Sequence, residues 1–521
     1  ALINDFKMKK PSKSLIFAVF AFIFGIFLRL WGLGSGLGRG DENQNILDYG
    51  HAPFEYIVNS YFYGGHHILN SVFIRLSILF FGEENVFAIR TPVFILSIAT
   101  LYLVYLIAKQ IFRSQEIAAI ALFALAVNPT HIYFSQIARG YSWIMFFSAL
   151  TLFSLLKLFE TKQYKWSFLI LFSGFLDIYT IPTTIYFILA LGLWSIFISL
   201  KYTANLIDNN VNILGINPVF IFTIFFGIAV FSFAAYFPIL DNLIAEAKNY
   251  HLPKLANKSN ISLATQTITG FFERSFPKNL IYSILFVVIG FFLAPIAKNE
   301  YRLLVFFLLG IPALITLITG IGGYPRNYLF NLPWVVVYLA AGIEWAGRLL
   351  TSFFKLKLNL KPIFLIIWSL ISFQHLAFKF YTSQYSISGS DYYNLTGKNT
   401  NLNDLLMIEN TQDYLYARQI YKNRLKKIIK DNKVSGIKLI SKSNFKWTDY
   451  SLRRTNIKIF PFRGLNLRES NIPLNGNRIL HKVFQNQTIG ILPVDFESKT
   501  QWKIISASGK FVAENSPKLF G

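Results

Sequence analysis

The chain has 521 residues, a formal net charge of +24 and a hydrophobic fraction of 54%. Together with a mean hydropathy of +0.44, this composition excludes a soluble enzyme and predicts a polytopic membrane protein. The sequence contains no cysteine, which excludes disulfide bonds, thiolate metal sites and thiol catalysis. Cationic loops and anionic lipids account for the positive charge, so no nucleic-acid partner is expected.

The first apolar run, residues 15–33, is interrupted by Arg29 and is long enough to cross a hydrocarbon core of roughly 30 Å. We interpret it as a retained anchor because it has no small-residue cleavage site. A glycine-rich segment, 32–40, then leads to the adjacent carboxylates Asp41 and Glu42. Such a pair just outside a bilayer is costly unless it is solvated or matched by cations. It is therefore either the solvated start of a helix, capped by Asp41, or a functional pair at the membrane surface.

Further apolar windows fill the first 380 residues and predict about eleven transmembrane helices in a helical bundle. An odd number of spans places the two termini on opposite sides of the membrane. Six basic segments would share one side, which predicts a cytoplasmic N-terminus and an extracytoplasmic C-terminus in an inner membrane. The windows are 86–108, 116–134, 141–159, 166–181, 182–200, 217–240, 279–297, 302–320, 327–346 and 361–380; the basic segments are 7–13, 109–113, 157–165, 201, 298–302 and 348–361.

Two longer segments lie on the predicted outer side. Residues 41–81 are too long for a turn, and their apolar residues predict two helices in the membrane interface, one on each side of His66 and His67. Residues 241–278 are rich in Lys, Asn, Ser and Thr, which is typical of a mobile flap over a site. The chemistry-bearing residues therefore collect at the outer ends of the helices.

The composition changes near residue 381, which divides the chain into a transmembrane domain, 1–380, and an extracytoplasmic domain, 381–521. The second domain contains 22 Lys and Arg against 10 Asp and Glu. Its pattern predicts an amphipathic helix at 405–430 and strands at 436–440, 457–460, 489–494 and 502–505, hence an α/β or α+β fold. Its basic face either holds an anionic acceptor or lipid headgroups, or is a solvated face with no specific role.

Five short motifs in order resemble the GT-C glycosyltransferases related to protein O-mannosyltransferases and the lipid A aminoarabinose transferase. The resemblance covers about residues 1–350. One helix end departs from the family pattern, since Ile181 and Pro182 replace a histidine that often follows the Tyr-Thr pair. The motifs are Asp41-Glu42, the stretch His66-His67-Ile68-Leu69-Asn70-Ser71, residues 82–92, residues 135–141, and Pro325-Arg326-Asn327-Tyr328-Leu329.

The resemblance implies an inverting transferase that moves a hexosyl or pentosyl group from a polyprenyl phosphate to a hydroxyl of a protein, lipid or glycan. Such a transfer needs a base for the acceptor's proton and cations for the leaving phosphate. Asp41 is the candidate base, and Glu42 either positions hydroxyl groups or is a solvated carboxylate. Arg326 and Arg139 are the candidate phosphate ligands, with snorkelling to the headgroups as the alternative for Arg326.

The candidate substrate-binding residues share a place near the outer ends of helices: His66, His67, Tyr141, Asp177 and Tyr328. For the two histidines, a polar turn is the alternative interpretation. The sequence has no Walker or Rossmann phosphate loop, which disfavours direct use of a nucleotide sugar. A metal ion on Asp41, Glu42 and a histidine is conceivable, but arginines neutralise a lipid monophosphate, so no metal or other cofactor is expected to be required.

Two other classes of function compete with transfer. A transporter or flippase of a lipid-linked glycan would show inverted repeats and broken helices in corresponding halves, and neither is clear in the sequence. A membrane scaffold without enzymatic activity would use the basic C-terminal domain to bind a polyanion. Replacing Asp41 discriminates these classes, because only a transferase needs its carboxylate.

Overall fold

The computed structural model divides the chain into two compact units. One comprises Ala1–Gly34, Phe54–Leu76 and Phe87–Lys379; the other comprises Ser35–Pro53, Ser77–Val86 and Phe380–Gly521. The residues whose structure is described are 12–34, 41–50, 52–61, 64–82, 85–209, 216–246, 259–277, 279–355, 360–372, 404–406, 458–460, 502–507 and 510–516.

Helices dominate the described part of the chain. In chain order they are α1 Lys13–Leu30, α2 Asp41–Tyr49, α3 Phe54–Val58, α4 Ile68–Phe81, α5 Val86–Phe112, α6 Gln115–Ala126, α7 Pro129–Ser135, α8 Tyr141–Thr161, α9 Lys165–Thr180, α10 Ile185–Asn209, α11 Pro218–Tyr236, α12 Leu240–Glu246, α13 Asn260–Ser275, α14 Leu280–Phe292, α15 Glu300–Thr319, α16 Leu332–Phe353 and α17 Lys361–Ser372. Short 3₁₀ helices cover Pro182–Thr184, Phe237–Ile239 and Pro325–Asn331.

Seven helical segments of the described chain are long and apolar enough to cross a membrane, and the count rises to nine if two bent pairs are each one span. The bent pairs are α6 with α7 and α13 with α14. The span predicted at 166–181 corresponds to α9, and the first part of the span predicted at 361–380 corresponds to α17. Residues 373–380 lie outside the described residues. The predicted mainly α, polytopic helical fold is confirmed.

The bend between α6 and α7 is stabilised by a buried arginine from α1. Pro129 follows the Asn128 cap and turns the chain by 60°, which deprives the last carbonyls of α6 of the regular bond from the residue four positions further along. Arg29 donates hydrogen bonds of 3.0 Å to the carbonyls of both Leu125 and Ala126. Polar backbone atoms inside a bilayer need such internal partners, so Arg29 is explained by the broken helix.

One end of the first unit is marked by ion pairs between distant helices. Arg113 after α5 contacts Glu160 of α8 at 2.7 Å, and Lys201 of α10 contacts Glu300 of α15 at 2.9 Å. Lys361 of α17 contacts Glu116 of α6 at 2.9 Å. These pairs join segments that the basic-residue pattern assigned to one side of the membrane. The beginning of α8, the end of α9 and the 3₁₀ helix at Pro325 therefore lie at the opposite end.

Two predictions about the segments on the predicted outer side were wrong. Residues 260–275 form helix α13, although the polar composition of 241–278 predicted a loop. The helix begins at the Ser259 cap and buries Leu263, Phe271 and Phe272 on one face, which offsets its weak intrinsic preference. Between 41 and 81 the chain forms three helices, α2 to α4, where two were expected.

The described strands all lie within the predicted C-terminal domain, 381–521. Strand β1, Asp404–Leu406, pairs in parallel with β2, Lys458–Phe460, and β3, Trp502–Ala507, pairs antiparallel with β4, Lys510–Ser516. The strands predicted at 457–460 and 502–505 are confirmed, whereas the helix predicted from residue 405 is wrong over its first two residues. The rest of that helix and the strands predicted at 436–440 and 489–494 lie outside the described residues.

Candidate functional site

Arg139 lies in the turn between α7 and α8, defined here as residues 136–140 and called the Arg139 turn. The residue is buried, at 3% exposure, and its Nη1 donates a 3.0 Å hydrogen bond to the carbonyl of Gly65. Its guanidinium carbon lies 5.8 Å from the ring centroid of Tyr141, the first residue of α8. The side chain therefore spans from α8 to the loop before α4.

The loop before α4 carries both histidines, and its contacts attach it to the Arg139 turn. Nδ1 of His67 accepts a 2.7 Å hydrogen bond from the backbone N–H of Gly140. Asn70, one turn further along, donates to the carbonyl of Ala138 at 2.9 Å. The ring of His67 meets that of Tyr141 edge-on, with centroids 5.1 Å apart. Two segments far apart in the sequence are thus held together by direct contacts.

Both histidines are buried, and whether they bind substrate or only form a polar turn stays open. Burial lowers the pKa of His66 to about 3, and the charge of Arg139 contributes. Burial also holds the pKa of His67 well below its ordinary value. The charges of Arg139, Arg326 and His66 lower this pKa further, by smaller amounts. His67 is therefore neutral, and since its Nδ1 accepts a hydrogen bond, its Nε2 carries the proton.

Arg326 comes to this site from the 3₁₀ helix Pro325–Asn331. Its guanidinium carbon lies 5.1 Å from the ring centroid of Tyr324, a stacking that orients the planar group. Its charge acts on His67 together with that of Arg139. The two arginines that the sequence proposed as phosphate ligands therefore lie at the same end of the bundle.

Tyr328 holds the segment that carries Arg326, defined here as residues 323–328 and called the Arg326 segment. Its hydroxyl accepts a 3.0 Å hydrogen bond from the N–H of Gly323, and its ring stacks on Tyr186 with centroids 6.4 Å apart. Tyr328 is buried, at 1% exposure. These contacts fix the shape of the segment; a direct contact of Tyr328 with substrate stays a prediction.

Asp177 faces a different neighbour. It is fully buried near the end of α9, and its Oδ2 accepts a 2.6 Å hydrogen bond from Ser148 of α8. Thr151 and Ser173 form a second polar contact of 2.7 Å between the same two helices. Ser148 lies seven residues beyond Tyr141 along α8, which is about 10 Å deeper at 1.5 Å per residue. Asp177 joins two helices in this arrangement, and its role in substrate binding stays a prediction.

Asp41 and Glu42 open α2, in the second compact unit. Both are in the first turn of that helix, and Glu42 is fully buried whereas Asp41 is half-buried. Carboxylates in a first turn interact favourably with the helix dipole. Their assignment as base and positioning group stays a prediction. Among the described residues, no group of three or more His, Asp or Glu side chains could hold a metal ion.

The sequence analysis did not predict the contacts of Gln136, Arg29 and His131 that attach the Arg139 turn and α7 to the end of α1. Gln136 donates from its Nε2 to the carbonyls of Leu28 and Arg29 at 3.1 and 3.2 Å. Arg29 in turn contacts Nδ1 of His131 at 2.6 Å. The available signal was a lone arginine inside an apolar run, because such a residue needs polar partners in the bilayer.

The helical bundle is similar in fold to the GT-C membrane glycosyltransferases. Residues 66–233 match the family model for dolichyl-phosphate-mannose-protein mannosyltransferases, which is less than half of the chain. The structure is similar to that of ArnT from Cupriavidus metallidurans bound to undecaprenyl phosphate, with a TM-score of 0.50, 11% identity, and coverage of 78% of this chain and 84% of ArnT. The GT-C resemblance predicted from the motifs is confirmed at the level of the fold.

A more distant likeness is to the oligosaccharyltransferase AglB from Archaeoglobus fulgidus, solved with an inhibitory peptide and a dolichol phosphate. Its TM-score is 0.42 at 15% identity, and the match covers 78% of this chain and 59% of AglB. This likeness is too weak to support an argument. No curated protein matches the sequence.

Proposed function

We propose that the protein is an inverting glycosyltransferase that moves a sugar from a polyprenyl phosphate to a hydroxyl acceptor at the outer face of a membrane. The single observation that carries the proposal is that Arg139, in the turn before α8, and Arg326, in the 3₁₀ helix before α16, lie at the same end of the bundle as His67. Two guanidinium groups neutralise the charge of a departing lipid phosphate. The N–H at Nε2 of His67 adds an uncharged donor for a phosphate or sugar oxygen.

The transfer step breaks one bond and forms one at the anomeric carbon, and it moves one proton. The acceptor oxygen attacks the anomeric carbon while its proton passes to the carboxylate of Asp41. The bond between that carbon and the phosphate oxygen breaks, and polyprenyl phosphate leaves with the electron pair, held by Arg139 and Arg326. Glu42 positions hydroxyl groups of the acceptor or sugar. Attack from the side opposite the phosphate inverts the anomeric configuration.

Two comparisons support a lipid-phosphate donor. The matched family model is described by a dolichyl-phosphate-mannose donor, and the ArnT structure contains undecaprenyl phosphate. A site at the end of a membrane bundle suits such a donor, because the isoprenoid tail stays in the bilayer while the phosphate reaches the arginines. The transferred group is a hexosyl or pentosyl residue, and the membrane is the inner membrane of a cell envelope.

The test is binding of polyprenyl phosphate to the purified full chain, followed by transfer from a synthetic polyprenyl-phosphate sugar. Arg326→Ala removes the charge and the forked donor, and loss of a charged hydrogen bond worth about 1.5–3 kcal/mol predicts roughly ten- to hundredfold weaker binding. Arg326→Lys keeps the charge without the fork, so binding falls less.

The matched control is Arg113→Ala, which removes an exposed arginine at the opposite end of the bundle. It should bind the lipid as the wild type does. Equal affinity in Arg326→Ala and the wild type would remove this arginine from the site. Lipid binding without transfer to any hydroxyl acceptor would favour a flippase over a transferase.

A further inference from the structure

Helix α13 packs against the Arg326 segment at a glycine. A Cβ atom at Gly270 would lie 2.8 Å from Cγ and 3.2 Å from Cβ of Pro325, the residue before Arg326. The pyrrolidine ring is closed onto the backbone nitrogen, so it lacks the free χ1 rotation by which another side chain would move away from a clash. At the beginning of the same helix, Nδ2 of Asn260 donates a 3.0 Å hydrogen bond to the carbonyl of Leu317 in α15.

The end of α13 is attached to α7, which leads into the Arg139 turn. The hydroxyl of Thr130 donates to the carbonyl of Arg274 at 2.6 Å, and the amide of Asn128 donates to the carbonyl of Ser275 at 2.9 Å. The guanidinium carbon of Arg274 lies 5.4 Å from the ring centroid of Phe134. That ring packs against Tyr141, with centroids 4.5 Å apart.

We propose that α13 sets the spacing between the Arg326 segment and the Arg139 turn, and that Gly270 is the positioning residue in this contact. The inference rests on the proposed function, in which both arginines bind one phosphate. Two forked donors match one phosphate only at a fixed separation, and a displacement of about 1 Å can cost on the order of a hundredfold in rate. Gly270 permits the close approach that holds Arg326 in place.

The experiment is a double-mutant cycle on the full chain, with polyprenyl phosphate as the binding probe. Gly270→Ala introduces the clash and should weaken binding about tenfold through displacement of Arg326. Pro325→Ala removes Cγ, the atom nearest to the new methyl group. The double variant should therefore bind within about twofold of Pro325→Ala alone, a non-additivity expected of residues in contact.

Two further variants keep the result interpretable. Gly310→Ala, at a glycine of α15 with no atom within 4 Å of an added Cβ, should bind as the wild type does. Thr130→Val removes the hydrogen bond to the carbonyl of Arg274 at nearly constant volume, so it should weaken binding in the same direction even if Gly270→Ala does not fold. Its kcat with saturating donor should change less than its KM for the donor.

The outcomes separate this inference from the proposed function. Normal binding in Gly270→Ala, or a loss that Pro325→Ala does not relieve, would overturn the positioning role while Arg326→Ala still binds weakly. If Gly270→Ala does not fold, normal binding in Thr130→Val overturns it. Normal binding in Arg326→Ala would instead overturn the phosphate site itself.

Discussion

The backbone N–H of Gly140 donates a 2.7 Å hydrogen bond to Nδ1 of His67, across 73 residues of sequence. This bond fixes the neutral tautomer of His67 and places it beside Arg139, the residue before Gly140. A Cβ atom at Gly140 would lie 2.6 Å from Nδ1 and 2.7 Å from Cγ of the histidine. The close approach therefore requires glycine at this position.

Gly140→Ala should displace His67 and break this hydrogen bond. Overpacking of this kind costs about 1–3 kcal/mol of stability, and misplacement of Arg139 should slow transfer on the order of tenfold to a hundredfold. The measurement is transfer rate and thermal stability of the purified protein. Gly322→Ala, whose added Cβ would have no neighbour closer than 3.4 Å, should leave both unchanged; normal transfer in Gly140→Ala would contradict the role of this contact.

The sequence predicted the helical bundle because the length of an apolar window is set by the thickness of the bilayer that it must cross. It also predicted that Arg139 and Arg326 lie at the same end of the bundle, because the positive-inside rule assigns each helix end to one side of the membrane. It could not predict the bond between His67 and Gly140, which depends on tertiary packing. Helix α13 escaped prediction for a similar reason, because its Ser- and Thr-rich sequence is helical only with Phe271 and Phe272 buried.

Acidification should destabilise the protein through His66. The pKa of His66 is about 3 in the folded state against an ordinary value of 6.5, so only the unfolded chain binds its proton between these values. Stability is therefore complete above about pH 6.5 and is lost as the pH falls toward 3. Between pH 7 and pH 5 the loss from this one group is about 2 kcal/mol.

Thermal unfolding at pH 7 and pH 5 measures this effect. His66→Gln should reduce the difference in unfolding free energy between the two pH values, whatever its absolute stability. An unchanged difference in the variant would mean that His66 titrates in the folded protein.

The carboxylate of Glu344 should contribute strongly to stability and not to transfer. It is fully buried in α16, where Lys361 contacts it at 2.7 Å and Arg348 also pairs with it. Removing one partner of a buried pair costs about 3 kcal/mol or more, so Glu344→Gln should lower the melting temperature. The site lies at the opposite end of the bundle, so transfer by the folded protein should persist.

Lys201→Ala is the matched control, because it breaks the ion pair with Glu300, in which the lysine is half exposed. Exposed pairs contribute about 1 kcal/mol at most. Equal losses of stability in Glu344→Gln and Lys201→Ala would show that the burial of Glu344 does not increase the contribution of its ion pairs to stability.

The orientation of the bundle can be tested with single cysteines, because the chain contains none. We expect the end carrying the ion pairs to be cytoplasmic and the arginine site and residues 381–521 to be extracytoplasmic. A membrane-impermeant maleimide should label Glu273→Cys in intact spheroplasts and Lys162→Cys only after permeabilisation; both positions are exposed. Protease should cut within 381–521 of the same spheroplasts. The reverse pattern would invert the topology.

The last prediction concerns Asp41, the proposed base. Asp41→Asn keeps the shape of the side chain but cannot accept the proton of the acceptor hydroxyl. The transfer rate should therefore fall by about 10²–10⁴, the usual contribution of a positioned general base. Binding of polyprenyl phosphate should remain nearly normal, because the arginines that hold the phosphate are unchanged.

Asp41→Glu should recover only part of the rate, because a shift of the carboxylate by about 1 Å can itself cost on the order of a hundredfold. Glu273→Gln removes an exposed carboxylate of α13 and should transfer normally. The measurement is single-turnover transfer from a synthetic polyprenyl-phosphate sugar, with analysis of the anomer formed. Direct attack by the acceptor hydroxyl on the anomeric carbon predicts inversion. Retention of configuration, or near-normal turnover in Asp41→Asn, would reject Asp41 as the base and direct the search to Glu42 and Asp177.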